Sequence, residues 1–214
     1  MTTAISSIAL SKLGLIDYEE ALAIQRTFHQ EIVEGKRPST LLLLEHPPVF
    51  TAGRRTVDSE RPTDGSRVID VDRGGKITFH GPGQLVGYPI ITLKSRNDVV
   101  GFVRELEEAL ISICAEFGLK TERYCERSGV WVRDAKGDRK IAAIGLRVAR
   151  GVTMHGFALN INPDLTYFDR IIPCGISDAQ VTSLSAELGR EIHVNDVSPI
   201  VERHMFEALM RAST

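Results

Sequence analysis

The chain of 214 residues lacks most of the features that announce a protein class. Its three cysteines, Cys114, Cys125 and Cys174, are an odd number, and none stands at Cys-x-x-Cys or zinc-ligand spacing. That excludes a disulfide framework and a structural zinc site, and fits a reducing, cytoplasmic setting. No run approaches the ~18 apolar residues of a membrane span, and Met1 to Leu10 has no basic residue ahead of its apolar stretch. Neither membrane insertion nor secretion is expected. Lys and Arg total 26 against 28 Asp and Glu, a formal charge of −2, so nothing global in the electrostatics calls for nucleic acid. The glycine-rich stretches fail the phosphate fingerprints: Arg73-Gly74-Gly75-Lys76 lacks Walker spacing, and no G-x-G-x-x-G opens a helix. No repeat, low-complexity tract or linker interrupts the chain. With 43% hydrophobic residues, it reads as one domain over residues 1–214 with a core of its own.

What is present is an alternation of strands and a few amphipathic helices. Asp17 and Glu20 form a capping-box variant, and Ala21, Ile24, Phe28 and Ile32 recur at helical spacing until Gly35. A second helix starts near Asn97-Asp98, places Val103, Leu106, Leu110, Ile113 and Phe117 on one face, and ends at Gly118. A third is expected over Ser198 to Ala212, with Ser198 as cap and Pro199 at the first position. A short one fits Thr182 to Leu188. Strand-like runs cover Leu41 to Leu44, Val49 to Thr51, Lys76 to Phe79, Leu85 to Leu93, Gly129 to Val132, Lys140 to Val148 and Thr153 to Ile161. The turn Asp134-Ala135-Lys136-Gly137-Asp138 joins two of them into a hairpin. Strands outnumber helices, so the expected fold class is α+β, a mainly antiparallel or mixed sheet packed with helices.

Among the side chains that could carry chemistry, Cys174 stands out. Ile172-Pro173-Cys174-Gly175 puts a thiol in a tight turn after an apolar run. A thiol becomes a useful nucleophile when a nearby cation or helix N-terminus lowers its pKa from about 8.5. Lys140, at the head of Ile141-Ala142-Ala143-Ile144-Gly145, is a candidate for that cation. It also reads as a solvated strand-end lysine, and Cys174 as a small buried hydrophobe. Cys114 lies on the apolar face of the second helix and reads as packing; Cys125, among Arg123, Tyr124, Glu126 and Arg127, reads as an adventitious thiol. His80 and His155 each precede a glycine at a strand end, where structural service and contact with a substrate carbonyl are both open. His46, before Pro47-Pro48, reads as a turn stabiliser.

Four ordered motifs, Arg73-Gly74-Gly75-Lys76-Ile77-Thr78-Phe79-His80-Gly81-Pro82-Gly83-Gln84, Lys140-Ile141-Ala142-Ala143-Ile144-Gly145, His155-Gly156-Phe157-Ala158-Leu159-Asn160 and Pro173-Cys174-Gly175, together resemble the lipoyl(octanoyl) transferase family, also called lipoate-protein ligase B. The resemblance runs from about Glu45 to Leu184. It implies the fold of the biotin and lipoate protein ligase catalytic domain. It further implies transfer of an octanoyl group from octanoyl-acyl carrier protein to a lysine of lipoyl domains in 2-oxoacid dehydrogenase complexes and of the glycine-cleavage H protein, with no cofactor. By that resemblance Cys174 is the acyl-accepting nucleophile and Lys140 lowers its pKa and shuttles protons. Arg73, Gly74, Gly75, Lys76, Ile77, Thr78, Phe79, His80, Ala143, Ile144, Gly145, Gly156, Phe157 and Ala158 line the acyl pocket. Phe79 stands where many relatives carry tyrosine, so a role for that hydroxyl is absent here. A monomer is the expected state, and Arg54, Arg55, Arg147 and Arg150 are candidates for steering an acidic carrier. Two rivals are an ATP-dependent lipoate or biotin ligase on the same fold, which needs no nucleophilic cysteine, and a non-catalytic module that holds an acyl chain or docks a carrier.

Overall fold

The computed structural model describes residues 8–95, 98–124, 127–171 and 180–214. The central sheet is ordered β1 (Ala9–Leu15), β2 (Thr40–Glu45), β6 (Gln84–Ile90), β10 (Val152–Asn160), β9 (Gly137–Ala149), β8 (Arg127–Asp134) and β7 (Glu122–Tyr124), with β11 (Gln180–Val181) added onto β9. A second, three-stranded sheet holds β4 (Val68–Asp70), β3 (Val49–Ala52) and β5 (Thr78–His80). The pairs β1–β2, β3–β4 and β9–β11 are parallel and the rest antiparallel. The sheet is therefore mixed, and the class α+β.

Strand β2 shows why the layers form. Its run of four leucines is buried on both faces, as a central strand with helices on each side requires. Leu41 and Leu43 meet helices α2 (Val99–Glu116) and α4 (Val194–Ala212) through Leu106, Leu110, Val201 and Met205. Leu42 and Leu44 meet helix α1 (Tyr18–Val33) through Ala21 and Ile32. Each such fully buried leucine contributes about 2 kcal/mol. The caps are those of the sequence: Asp17 accepts from the N–H groups of Glu19 and Glu20, and Asp98 from that of Gly101, each worth about 1 kcal/mol. Ser183 caps the short helix α3 (Leu184–Leu188), which ends on Gly189.

Two readings need correction. The last helix begins at Val194, earlier than Ser198, because His193 rather than Ser198 precedes it and the Asp196 carboxylate accepts from the His193 N–H; Pro199 consequently lies inside the helix. Ala9–Leu15, to which the sequence pattern assigned no element, is a strand held parallel to β2 by long-range pairing. The short strands β4, β7 and β11 have no periodic signal long enough to read.

Candidate functional site

The floor of the site is a patch of small side chains on the α1 face of the sheet. Ala143 pairs with Ala158 and Gly145 with Gly156 across β9 and β10. On β6, Val86 stands level with Ala158, and Tyr88 follows Gly87 at the level of Gly156. These small residues leave a cavity of about 220 Å³. A smaller one of about 10 Å³ adjoins it and shares Thr78, Lys140, Ala143 and Ala158.

A β-bulge aims Lys140 into this cavity. In the β8–β9 ladder, Trp131 pairs with Lys140 but its neighbour Val130 pairs with Ala142, so Ile141 is the extra residue. Ile141 and Ala142 both pack with the α2/α4 core, while Lys140 and Ala143 line the cavity on the other face. In an unbroken strand Lys140 would share the face of Ala142, since side chains alternate. The lysine is 7% exposed, and its Nζ stands 4.6 Å from the centre of the Trp131 ring, a cation–π arrangement. Its carbonyl accepts from the N–H of Thr182 at 2.9 Å, just beyond β11. The neighbouring Arg139 is bound to Glu187 and Asp134 at 2.7 and 2.9 Å.

The loop that closes the cavity is built around the Arg73 guanidinium. Its Nη1 donates to the carbonyls of Gly74 and Lys76 at 3.0 and 2.8 Å, and its Nη2 to the carbonyl and hydroxyl of Thr51 at 2.8 and 2.9 Å. The Gly74 N–H bonds the Leu146 carbonyl at 2.9 Å, tying the loop to β9. Lys76 pairs with Glu60.

A buried polar layer lies behind. His80 donates from Nδ1 to the Gln84 side-chain oxygen at 2.6 Å, and Gln84 donates to Asn160 at 2.8 Å. Asn160 in turn donates to the Thr182 carbonyl at 2.9 Å. Burial, aided by nearby His46, lowers the His80 pKa to about 3, so this imidazole is neutral near pH 7. His46 donates from Nδ1 to the Ile16 carbonyl and accepts from the Tyr88 hydroxyl, both at 2.8 Å. His155 has φ +58°, a left-handed conformation unusual for a side-chain-bearing residue. Its N–H bonds the Gln25 side chain at 2.9 Å, and its Nε2 donates to Asp72 at 2.8 Å. Burial holds His155 below the usual imidazole range. Burial works against the Asp72 carboxylate too, but the bond from His155 and the Arg147 charge outweigh it and keep it ionised. Burial also pushes the Tyr18 phenol up to about 12.

Of the pocket residues expected from the sequence, Arg73, Gly75, Lys76, Thr78, His80, Ala143, Ile144, Gly145, Gly156, Phe157 and Ala158 line the cavity together with Lys140. Gly74, Ile77 and Phe79 do not. Strand alternation turns Thr78 and His80 inward and Ile77 and Phe79 outward, into a cluster with Phe50, Phe168 and Ile171. There the Phe79 ring stacks on Tyr167 at 4.5 Å. A bare ring suits that setting. Cys174 and Cys125 lie outside the described residues. Cys114 is fully buried, its thiol pushed up to about 12 by burial, as a packing residue should be. Sequence reasoning missed Tyr18, Tyr88, Arg127 and Ser128 and expected Arg55 only to steer a carrier, yet all five line the cavity; each arrives there by tertiary contact, which carries no local signal. Arg147 binds Asp72, and Arg150 binds Gln30, leaving Arg55 at the cavity mouth. Among the described residues, no group of three or more His, Cys, Asp or Glu could hold a metal ion, and no helix is long and apolar enough to cross a membrane.

Solved structures share this architecture. Lipoate-protein ligase A bound with ATP superposes with a TM-score of 0.74 at 16% identity, over 95% of this chain and 85% of that one. Biotin protein ligase from Aquifex aeolicus in complex with biotin and ATP does so with a TM-score of 0.58 at 16% identity, over 95% and 71%. The chain thus has the fold of the lipoate and biotin protein ligases. The model of the lipoyl protein ligase A/B catalytic domain matches residues 17–206, and the octanoyltransferase of Salinispora arenicola (strain CNS-205) is 59% identical over 207 residues, 96% of this chain and 97% of its own. The chain belongs to the lipoyl protein ligase A/B family, in its octanoyltransferase branch, and is an acyltransferase.

Proposed function

We propose that this protein, acting as a single catalytic domain over residues 1–214, takes an octanoyl group from octanoyl-acyl carrier protein onto Cys174. It then passes the group to a lysine of lipoyl domains in 2-oxoacid dehydrogenase complexes and of the glycine-cleavage H protein. It works as a cytoplasmic monomer. The observation that carries this reading is the bulge that turns a buried lysine onto a floor of alanine and glycine, with β11, six residues after Cys174, paired against that same lysine.

In the first half-reaction the Cys174 thiolate attacks the thioester carbonyl, the carrier's sulfur leaves and takes a proton from the Lys140 ammonium, and a new thioester forms at similar energy, so no ATP is needed and Lys140 is left neutral. In the second, the acceptor amine attacks that thioester, its proton passes to Lys140, and the Cys174 sulfur leaves as the amide forms. A double-displacement course follows. The trough of Ala143, Gly145, Gly156 and Ala158 receives the alkyl chain, where burial supplies about 0.8 kcal/mol per methylene.

Incubation with octanoyl-acyl carrier protein alone, without ATP, is expected to add one octanoyl group to Cys174 as a hydroxylamine-labile thioester, read by intact mass and peptide mapping. Label on Cys114 or Cys125 would overturn the assignment of Cys174, and full transfer activity in Cys174→Ala with ATP consumed would overturn the reading in favour of an adenylate-forming ligase.

A further inference from the structure

Trp131, the chain's single tryptophan, is 1% exposed, yet its indole N–H makes no hydrogen bond among the described residues. A buried tryptophan ordinarily finds a partner for that group, and leaving it unpaired is unfavourable. Leucine would fill the space without that cost. What the indole adds to bulk is an electron-rich face, the best that a side chain offers to a cation. Trp131 and Lys140 stand directly opposite each other in the β8–β9 ladder, beside the bulge. Val130 and Val132 pack with the α2/α4 core, so alternation puts Trp131 on the other face of the sheet, with Lys140. There the ring centre lies 4.6 Å from the lysine nitrogen. Tyr124 bears on the indole at 5.6 Å and 58°, tilted rather than stacked, and the Arg127 and Arg133 guanidiniums lie 4.6 and 4.4 Å from the centre of the Tyr124 ring. The indole is thereby braced from the β7 side.

The chemistry asked of Lys140 explains what such a face can do. In the acyl-transfer reading this lysine gives up a proton and later takes one back, and while charged it favours the Cys174 thiolate. An ammonium sits on a flexible stem with much rotamer freedom to lose, so its aim depends on what holds it. A carboxylate holds a cation by cancelling its charge, and a nearby thiolate then loses the benefit. An aromatic face attracts the cation but carries no net charge, so the positive charge remains available to a neighbouring anion. Burial strengthens the attraction, because little water competes for the ammonium.

We propose that Trp131 is a positioning residue for acyl transfer: the face of its indole holds the Lys140 ammonium at the cavity without neutralising it. This rests on the acyl-transfer reading above. Trp131 does not itself line the cavity, and it acts only through the lysine.

Because the chain has one tryptophan, producing the protein with fluorinated tryptophan alters this ring alone. Mono-, di- and tetrafluorinated indoles keep the outline of the ring while fluorine withdraws electron density from its face, weakening its hold on a cation step by step. The apparent pKa of Cys174, read from alkylation rate against pH with peptide mapping, is expected to rise in the same order. Trp131→Leu is expected to slow acylation by octanoyl-acyl carrier protein about tenfold, the order of a desolvated cation–π contact. Trp131→Phe, which keeps a weaker face, should slow it less. Alkylation curves that fluorination leaves unmoved, in a protein where Lys140→Ala does move them, would overturn the proposal and leave acyl transfer intact. Conversely, curves graded by fluorination in a protein that octanoyl-acyl carrier protein never acylates would sink the transfer chemistry and keep the role of the ring.

Discussion

In the proposed mechanism Lys140 is the residue on which the chemistry turns, and its setting differs from that of an ordinary strand-end lysine. It is buried, faces an aromatic ring, and points into a cavity because one extra residue reverses the face of the strand. A cation within a few ångströms of a thiol favours the thiolate. Lys140→Ala is therefore expected to raise the apparent pKa of Cys174 toward the ordinary thiol value and to slow its acylation by about a hundredfold. Alkylation rate against pH, followed on Cys174 by peptide mapping, reads the first effect; an unshifted curve would remove Lys140 from that role. Cys114 supplies the contrast within the same molecule. Burial without a cation drives its thiol in the opposite direction, so it should stay unlabelled across the same pH range.

At the scale of elements, the bulge depends on Gly129 as much as on Ile141. Gly129 has φ +111°, and a Cβ there would stand 2.4 Å from the Ala142 carbonyl oxygen, on the strand opposite. Its N–H is held by the buried Glu107 carboxylate of α2 at 3.0 Å. Gly129→Ala is expected to cost about 2 kcal/mol or more in stability, because the backbone conformation and the close approach are both closed to alanine. It should also slow acylation, since the ladder that turns Lys140 must shift. Urea denaturation measures the first and single-turnover acylation the second. Loss of stability with acylation at the wild-type rate would mean that the bulge does not set the lysine's position. The hairpin itself was readable from Asp134 to Asp138. The bulge was not, because it is a property of the pairing between two strands and leaves no mark on either alone.

For the whole molecule, the buried imidazoles set the response to acid. His80 titrates near 3 in the folded protein and near 6.5 when unfolded. Between those values the unfolded chain binds a proton that the folded chain does not. The stability of neutral burial is thus complete above about pH 6.5 and falls by about 1.4 kcal/mol per pH unit below it, toward pH 3. Burial shifts His46 and His155 in the same direction. The Asp72 carboxylate, held below its usual range by His155 and Arg147, adds a loss at lower pH still. Denaturant titrations from pH 7 to pH 5 are expected to show stability declining with a slope of more than one proton. A flat profile would mean that these rings are not held neutral in the folded state.

What the sequence determined by itself was everything encoded at short range. Capping by Asp17 and Asp98, the 3.6-residue period of α1 and α2, the strand-like runs of β2 and β10, and the four ordered motifs were legible because each is a property of neighbours along the chain. They sufficed for the α+β class and the family. Only the tertiary structure decided which of those residues share a cavity. Tyr18 comes from α1, Tyr88 from β6, Arg127 from β8 and Lys140 from β9, and their convergence depends on strand order and on one inserted residue. The face a side chain presents follows from local alternation, but what lies opposite that face is set by the packing of distant segments, which no local pattern records.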